Sequence, residues 1–393
     1  MGHHPTYFMH FAAAMAEAGA DVVPCCADPE DFLKRLGNES LPAAVRERIA
    51  EPVRVASPVP SQFRPARWRG HYNALRFFGG LGKQLRAWER QHGRKVDLVF
   101  FACIYDRQFE HFRFAERWFG YPWSGLYLHA RSFRMPGSPV PYLGGLPCPE
   151  KIFSSPSLRA VAVLDEGAVK SLKKITDGKP AMVFPDVTVE ELPPGGLEAG
   201  LAHKINAFAA GRPIVSLTGH LQWTKGLDVF TAAAGHPDMQ DVCFFLGGEI
   251  NWGEITAADK QRMQKAWEEL PNVLCHCQHL PEQTMNAVYA VSDSVVAAYR
   301  AFPNSSNALT KAAVFERPIV VSDGYLMAER VLHYQLGEVI PEGDAEALVA
   351  ALRRILQPNY GAELRSRARW QEYREAHSVA RLNEVVRELV AKL

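Results

Sequence analysis

The chain has 393 residues, of which 44 are Lys or Arg and 43 are Asp or Glu, so its formal net charge is +1. This length predicts two domains or one very large one, and the balance of charge excludes a general polyanion binder, so no nucleic-acid partner is expected. The seven cysteines are odd in number and mostly lie in apolar runs, which indicates reduced core thiols in a cytoplasmic protein without a disulfide framework.

Strand-like and helix-like stretches alternate through the first half of the chain. Residues 6–18 have helical apolar spacing and end at Gly19, and residues 67–95 contain a helix that Gly79, Gly80 and Gly82 are expected to break or kink. Further helices are expected at residues 109–119 and 167–175. The predicted strands are residues 21–26, 52–56, 96–103, 123–129, 160–164 and 181–184.

The second half repeats the alternation after a loop-like stretch at residues 185–196, where we place a domain boundary. Helices from residues 344 and 363 to the end close the chain. The expected strands are residues 213–217, 241–246, 272–277, 294–299 and 318–321. Two successive runs of this kind predict an α/β protein with two doubly wound, Rossmann-like domains that face a cleft.

Residues 294–322 are the most informative segment, because they read as strand, polar turn, helix and strand. In open parallel sheets ligands bind beyond the carboxyl ends of the strands, so the turn formed by Asn304, Ser305, Ser306 and Asn307 is expected at the functional rim. Backbone N–H groups at the start of the helix could hold an anion such as phosphate. The alternative is that Ser305 or Ser306 only caps the helix.

Several common signatures are absent. The chain contains no G-x-G-x-x-G after a strand, no G-x-x-x-x-G-K-[ST] and no G-x-S-x-G. No Asp-x-Asp pair is present for a Mg²⁺ clamp. Cys275, His276, Cys277 and His279 suggest zinc, but a strand would turn the cysteines and the histidines to opposite faces. No metal and no cofactor are therefore expected.

The remaining chemistry lies in loops that follow strands, and here the sequence resembles a known family. The segments VSLTGHLQWTKGLD, FFLGGE and SSNALTKAAVFERPIVVSDG look like the C-terminal domain of family 4 glycosyltransferases of the GT-B architecture, and GHHPTYFMHF resembles their first loop and helix. The resemblance implies an acceptor-side domain at residues 1–187, completed by a helix at about 374–393. It implies a nucleotide-sugar-binding domain at residues 188–373.

The resemblance also implies roles for individual residues. His220 and Lys225, beside Gly219, correspond to a basic pair that grips the donor diphosphate, although a histidine in place of arginine gives up the bidentate fork and the permanent charge. His129 matches a catalytic histidine near the transferred sugar, the alternative being a simple strand end. The remaining candidates are the sugar-facing Gly2, His3 and His4, with Arg131 and Glu249 as further donor-site residues.

One departure from the family pattern concerns two glutamates that are usually eight positions apart. Pro303 and Lys311 stand in their places, and a lysine cannot accept hydrogen bonds from ribose hydroxyls. Either Lys311 contacts phosphate or this chain binds its donor differently. The Ser305-Ser306-Asn307 turn is similar to a variant found elsewhere in the superfamily.

The expected activity is metal-independent transfer of a sugar from a nucleoside diphosphate sugar to an unidentified glycan, lipid-linked or small-molecule acceptor. Retention of configuration is implied by the resemblance. Two alternatives stay open. One is a sugar-nucleotide epimerase with Glu249 and Asp323 as acid and base, and the other is a noncatalytic ligand-binding protein.

Residues 63–95 suggest contact with anionic membranes, because they are strongly basic and interleave aromatic side chains. The chain has no apolar run of membrane-span length and no signal-peptide pattern, so it is expected to be cytoplasmic and peripheral at the inner face of the membrane. The alternative is a solvated basic face on a core helix.

A last expectation concerns the first strand of the amino-terminal domain. The loop from Gly2 to His4 precedes a well-formed helix, yet no apolar strand comes before it, unlike the donor-facing loops of the second half. In a doubly wound domain that strand lies in the middle of the sheet. An apolar strand of about five or six residues is therefore expected to be encoded just before Met1.

Overall fold

The computed structural model describes residues 4–38, 41–55, 68–104, 109, 111–128, 142–143, 146–147 and 152–392. The chain divides into an amino-terminal domain, Met1–Pro185 with Val379–Leu393, and a carboxy-terminal domain, Asp186–Ser378. From the sequence, we predict that the chain passes from the first domain to the second between residues 187 and 188 and returns near residue 374.

The described part of the amino-terminal domain alternates strands and helices, as the periodicity predicts. Its helices are α1 (His4–Glu17), α2 (Pro29–Asn38), α3 (Ala43–Arg46), α4 (Arg69–Ala74), α5 (Gly80–His92), α6 (Phe112–Phe119) and α7 (Val169–Ile175). Its strands are β1 (Cys25–Cys26), β2 (Val53–Arg54), β3 (Val99–Ile104), β4 (Trp123–Tyr127), β5 (Tyr142–Leu143), β6 (Leu146–Pro147), β7 (Leu158–Val163) and β8 (Ala181–Val183).

The main strands of this domain form two separate parallel sheets. One has the order β3-β4-β7-β8, and the other pairs β1 with β2, with Cys25 opposite Val53. The short strands β5 and β6 pair antiparallel. An aromatic core packs on the larger sheet and includes Phe78, Phe112 and Trp123.

The α-helical pattern predicted in residues 67–95 is interrupted just before Gly80. A π-helical turn, Leu75–Gly79, separates α4 from α5. A Cβ atom on Gly82 would lie 2.4 Å from the carbonyl oxygen of Phe119, so this glycine lets α5 approach the end of α6. The glycines therefore serve packing as well as the kink.

The carboxy-terminal domain has the more regular alternation. Its helices are α8 (Gly200–Ala209), α9 (Leu227–Ala234), α10 (Ala257–Glu269), α11 (Glu282–Val291), α12 (Asn307–Val314), α13 (Leu326–Tyr334), α14 (Ala345–Leu356), α15 (Pro358–Arg367) and α16 (Trp370–Ala376). Its strands are β9 (Ile214–Thr218), β10 (Cys243–Gly247), β11 (Val273–His276), β12 (Ser294–Ala297), β13 (Ile319–Ser322) and β14 (Gly337–Ile340).

These six strands form one parallel sheet of order β11-β10-β9-β12-β13-β14. Strands β9, β10, β12 and β13 are buried throughout, which explains why they read as unbroken apolar runs rather than alternating patterns. Strand β14 is half-buried at three of its four positions, and the sequence reading missed it.

The end of the chain differs from the single helix expected from residue 363. Three helices are present, because α15 ends before Ala368 and α16 ends before His377, and the last one, α17 (Val379–Val390), belongs to the amino-terminal domain. There Glu17 of α1 meets Asn383 and Arg387 of α17. The apolar stripe of α17, Leu382, Val385, Val386 and Leu389, is buried as its spacing predicts. Among the described residues, no helix combines the length and apolar character needed to cross a membrane.

Candidate functional site

The carboxy-terminal sheet reverses its strand order between β9 and β12. From β9 the chain adds β10 and β11 on one side, and then crosses to the other side to add β12, β13 and β14. Loops that leave two adjacent strands in opposite directions open a crevice at the carboxyl edge of the sheet, which is the usual ligand site of such folds. The two loops here are Gly219–Gly226 after β9 and Ala298–Ser306 after β12.

The β9 loop begins with two glycines in close contact. The N–H of Gly219 donates to the carbonyl of Gly247 at 3.0 Å, and a Cβ atom on Gly248 would lie only 1.8 Å from the carbonyl oxygen of Gly219. Gly248 also has a φ of +135°, which favours glycine. This packing leaves the His220 side chain exposed at the rim.

Lys225 is held at the end of the same loop, in the short 3-10 turn Trp223–Lys225. Gly226 follows with a φ of +73°, and a Cβ atom there would lie 2.3 Å from the carbonyl oxygen of Ala298 at the end of β12. The Lys225 ammonium lies over the ring of Tyr299, 3.8 Å from its centroid. The loop packing therefore brings a cation from β9 next to the end of β12.

Arg300 connects the loop after β12 to the loop after β9. Its backbone N–H donates to the carbonyl of Thr224 at 2.8 Å, its guanidinium pairs with Asp228 at 2.5 Å, and it also lies over the Trp223 ring. This arginine is thus engaged within the carboxy-terminal domain and positions the turn that holds Lys225.

The turn after β12 contains several backbone N–H groups that are not used within the described structure. The N–H groups of Asn304, Ser305, Ser306 and Asn307 make no hydrogen bond to any described residue. Ser306 is the N-cap of α12: its hydroxyl accepts from the N–H of Ala308 and lies 3.4 Å from the Tyr299 hydroxyl. The capping alternative therefore holds for Ser306, and the four N–H groups remain suited to an anion.

The Ser305 hydroxyl is used inside the domain. It donates to the carboxylate of Asp186 at 2.5 Å, and it accepts from the buried guanidinium of Arg330 at 2.8 Å. A hydroxyl whose proton is directed at a carboxylate has no donor left for a phosphate oxygen. Ser305 can therefore reach an anion only through its backbone N–H.

Lys311 and Asn307 differ from the donor-binding role expected of them. The Lys311 side chain is only 1% exposed, and its ammonium contacts the side chains of Asn286 and Glu282 at 2.5 and 3.4 Å. Burial lowers the pKa of Lys311, while Glu282 raises it in part. Asn307 donates to the carbonyl of Val187. Both side chains are thus satisfied internally.

The partners of these side chains include residues of the loop-like stretch at which the sequence predicts the domain boundary. Asn286 donates to the carbonyls of Val189 and Glu191, Lys311 donates to that of Val189, and Thr188 donates to Asn307. The backbone N–H of Asp186 donates to the buried His377 ring at 3.0 Å. Residues 186–191 are therefore fixed on the domain by side chains, which a loop-like composition does not reveal.

Several expected site residues lie outside the described part of the chain. These are Gly2, His3, His129 and Arg131, and His4 begins α1 with its side chain outside that part. Their proposed contacts with the sugar stay predictions. Glu249 is exposed after β10, beside the β9 loop.

Four other residues shape this edge and were missed from the sequence. Tyr299 and Arg300 follow an apolar strand, Asp186 lies in the loop-like stretch, and Arg330 is 4% exposed within the apolar helix α13. A lone arginine among Met327, Ala328 and Val331 was the one signal available, since a charge on a buried face needs a partner.

The cysteines and histidines considered for zinc lie at the edge strand β11. The thiol of Cys275, hydrogen-bonded to that of Cys277, lowers the pKa of Cys277 to about 7. Within the described ranges, no group of three or more His, Cys, Asp or Glu side chains is arranged to hold a metal ion.

Comparison with known proteins places this site in a known type of domain. Residues 212–358 match the family model described as Glycosyl transferases group 1. No curated protein matched the sequence.

Solved structures resemble the whole chain. The sucrose-phosphate synthase of Thermosynechococcus elongatus is 17% identical, with a TM-score of 0.65 over 98% of this chain and 92% of that one. A glycosyltransferase of Rickettsia africae is 13% identical, with a TM-score of 0.66 over 99% and 96%. Anabaena HepE, solved with UDP and glucose, is 14% identical, with a TM-score of 0.66 over 98% and 96%.

The family match spans β9 to α14 and so includes both loops of the crevice. The structural matches extend the fold to both domains. The chain therefore has the GT-B fold of two Rossmann-like domains, and residues 212–358 of its carboxy-terminal domain match the Glycosyl transferases group 1 family.

Proposed function

We propose that the protein transfers a sugar from a nucleoside diphosphate sugar, without a metal ion and with retention of configuration. The donor diphosphate binds at the switch point between β9 and β12. The observation that supports this most directly is the convergence of Lys225 with four backbone N–H groups, those of residues 304–307, which have no partner among the described residues.

The chemistry follows from where negative charge develops. As the bond between sugar and diphosphate breaks, charge accumulates on the leaving phosphate oxygens. A fixed ammonium and backbone dipoles aimed at that point stabilise the charge, which is the role a divalent cation has in other sites. His220, exposed in the same loop as Lys225, contributes a further N–H donor.

UDP is the nucleotide we favour, because HepE, a structural relative, was solved with UDP and glucose. Lys311 takes no part in this proposal, since its ammonium is buried against Asn286 and Glu282. The family glutamate is replaced here by a side chain that fixes residues 186–191. The nucleoside ribose is therefore bound by other groups.

The epimerase alternative has less support. It needs an acid and a base on either side of one sugar ring, and the candidates were Glu249 and Asp323. These follow β10 and β13, which are separated by β9 and β12, so their strands lie roughly 14 Å apart at the usual spacing. Such a separation does not suit paired proton transfer at one carbon.

We also propose a peripheral contact with anionic membranes through the amino-terminal domain. Four aromatic side chains are exposed among the described residues of this domain, and we call them the aromatic patch: Trp68, Tyr72, Phe114 and Trp118. Arg76 lies over Tyr72 at 5.9 Å from its ring centroid. Not all the basic residues are available, because Arg86 donates to carbonyls of α6 and Arg94 pairs with Asp21.

Calorimetry with UDP tests the donor site. Charge-assisted contacts of this kind contribute ~1.5–3 kcal/mol, so Lys225→Ala is expected to weaken UDP binding roughly ten- to a hundredfold. Lys265→Ala is the matched control, because Lys265 is an exposed lysine on α10 that pairs only with Glu269. Equal affinities in the two variants would remove Lys225 from the site.

Product analysis with a panel of sugar nucleotides, with and without EDTA, tests the reaction. Sugar released or transferred to an acceptor, in equal yield with EDTA, is the expected result. An epimerised nucleotide, or binding of nucleotide without turnover of any donor, would contradict the proposal.

A further inference from the structure

Two cysteines at the end of strand β11 are in direct contact. The thiol of Cys275 donates a hydrogen bond to the sulfur of Cys277. Side chains two positions apart along extended backbone lie on the same face, which brings the two sulfurs together. Strand β10 lies between β11 and β9, so this pair of thiols is a different side-chain cluster from the crevice between β9 and β12.

The pair lies at an edge of the carboxy-terminal sheet. Strand β11 is the first strand of the sheet and pairs with β10. Cys275 is half-buried and packs against the core of the domain, whereas Cys277 is exposed. The backbone between them is held in place, because the carbonyl of His276 accepts from the N–H of Gly248 at 2.9 Å. A reagent in solution can therefore reach Cys277, while Cys275 stays partly covered.

The hydrogen bond makes the two thiols chemically unequal. It lowers the pKa of Cys277 to about 7 and raises the pKa of Cys275, and burial adds to the rise at Cys275. Near neutral pH the exposed sulfur is thus largely a thiolate, and the inner sulfur keeps its proton. Because the thiolate is the nucleophilic form of cysteine, Cys277 is the sulfur that attacks first.

Other cysteines of the chain lack this arrangement. Cys25 and Cys26 are adjacent on β1, and adjacent residues of a strand point to opposite faces. Burial raises the pKa of Cys25 to about 11 and also raises the pKa of Cys26. Burial likewise raises the pKa of Cys243 to about 11. These three thiols are therefore weak nucleophiles near neutral pH.

The spacing of Cys275 and Cys277 is compatible with a disulfide. Two steps along a parallel strand separate Cα atoms by about 6.6 Å, near the upper end of the ~4.4–6.8 Å that disulfides span. The bond closes a small ring through the backbone of His276. Disulfides strained in this way are more easily reduced than relaxed ones, so the oxidised form returns to the dithiol with a thiol reductant.

We propose that Cys277 and Cys275 form a site of reversible oxidation by hydroperoxides, in which Cys277 attacks the peroxide and Cys275 resolves the product. The sulfur of Cys277 bonds to one peroxide oxygen, the O–O bond breaks, and the other oxygen leaves as an alcohol or water. The sulfur of Cys275 then attacks the resulting sulfenic acid. The S–O bond breaks, the sulfenic oxygen leaves as water with the Cys275 proton, and the disulfide forms. The pair of thiols is oxidised while a hydroperoxide is reduced.

Peptide mapping of the full chain tests the site. Trypsin releases residues 266–300 as a single peptide, which contains Cys275, Cys277 and no other cysteine. The protein is treated with hydrogen peroxide at neutral pH, then unfolded, and its remaining thiols are blocked with a maleimide. The peptide is expected without label and lighter than its reduced form by the mass of two hydrogen atoms. This product should form roughly tenfold or more faster than Cys243 is oxidised, and dithiothreitol should reverse it.

Two substitutions at these half-buried and exposed positions separate the roles of the cysteines. Cys275→Ser removes the resolving thiol, so Cys277 is expected to stop at the sulfenic acid, which dimedone labels. Cys277→Ser removes the attacking thiolate, so Cys275 is expected to stay reduced. Cys25→Ser is the matched control from the other pair, and it should leave the oxidation of peptide 266–300 unchanged.

Three results would overturn the proposal. The first is oxidation of Cys277 and Cys243 at equal rates, and the second is the absence of a dimedone adduct in Cys275→Ser. The third is a disulfide that joins the 266–300 peptides of two chains, seen as a dimer without reductant, because Cys275 would then not be the resolving residue.

Discussion

The two domains share one architecture but differ in how completely their sheets are paired. The carboxy-terminal domain has six strands in one continuous parallel sheet, and the family match falls within it. The described parallel strands of the amino-terminal domain form two separate sheets, and residues of both line one cavity. Close backbone packing of the Gly219 and Gly248 loops therefore shapes the carboxyl edge of the single sheet, whereas the described strands of the amino-terminal domain form no such continuous edge.

The largest effect is expected from a substitution that disrupts backbone packing at the carboxyl edge of the sheet in the carboxy-terminal domain. Gly248→Ala forces a Cβ atom against the Gly219 carbonyl at an unfavourable φ, so we expect a loss of about 3–5 kcal/mol in the free energy of unfolding and loss of UDP binding. Urea unfolding and calorimetry measure these effects.

The matched control is Gly324→Ala. Gly324 has a φ of +101° but nothing within 4 Å of an added Cβ, so its cost is about 1–2 kcal/mol of backbone strain. Similar losses in the two variants would show that close contact between the β9 and β10 loops is unimportant.

A smaller loss of stability is expected when the buried Lys311, which stands in place of the family glutamate, is substituted. Lys311→Met leaves the Asn286 and Val189 oxygens without their donor and should cost about 2–3 kcal/mol of stability. UDP affinity of the folded protein should change less than about twofold, because Lys311 is satisfied within the domain.

Lys265→Met is the control here, since an exposed lysine at the surface is worth under about 0.5 kcal/mol. A tenfold loss of UDP affinity in Lys311→Met, at full stability, would restore the original expectation that Lys311 contacts the donor.

The pH dependence of stability tests the buried His377 of the carboxy-terminal domain. Burial, together with nearby Arg330, lowers the pKa of His377 well below its ordinary value of 6.5, so the folded state keeps the ring neutral to accept from Asp186. Above 6.5 both states are neutral. As the pH falls below 6.5 the unfolded state takes up a proton that the folded state resists, and stability falls.

Between pH 7 and pH 5 this group should cost the carboxy-terminal domain about 2 kcal/mol, measured by amide exchange domain by domain. His377→Gln should remove that part of the slope. An identical slope in the variant would assign the acid sensitivity to other groups.

The smallest effect concerns the aromatic patch of the amino-terminal domain. Trp68→Ser with Trp118→Ser should reduce co-sedimentation with vesicles of anionic phospholipid at low salt several-fold, because interfacial aromatic rings would be lost. Leu332→Ser, at a 64% exposed position of the carboxy-terminal domain, should leave sedimentation unchanged. Failure of the unmodified protein to sediment would leave these residues as a solvated face.

Features that depend on neighbours along the chain could be predicted from the sequence. The apolar runs of β9, β10, β12 and β13, the break near Gly79 and the Ser306 cap follow from burial pattern, glycine content and capping chemistry. The loop motif containing Lys225 was found for the same reason, since its residues are close together in sequence.

The contacts of the polar side chains of the site could not be predicted from the sequence, because they depend on the tertiary structure. The partners of Ser305 and Lys311, Asp186 and Val189, lie 119 and 122 positions away, and no local pattern connects them. The same is true of the division of the described amino-terminal strands into two sheets, because strand pairing is set by packing across the sheet. A buried polar group must find a partner, but which partner depends on the fold that brings them together.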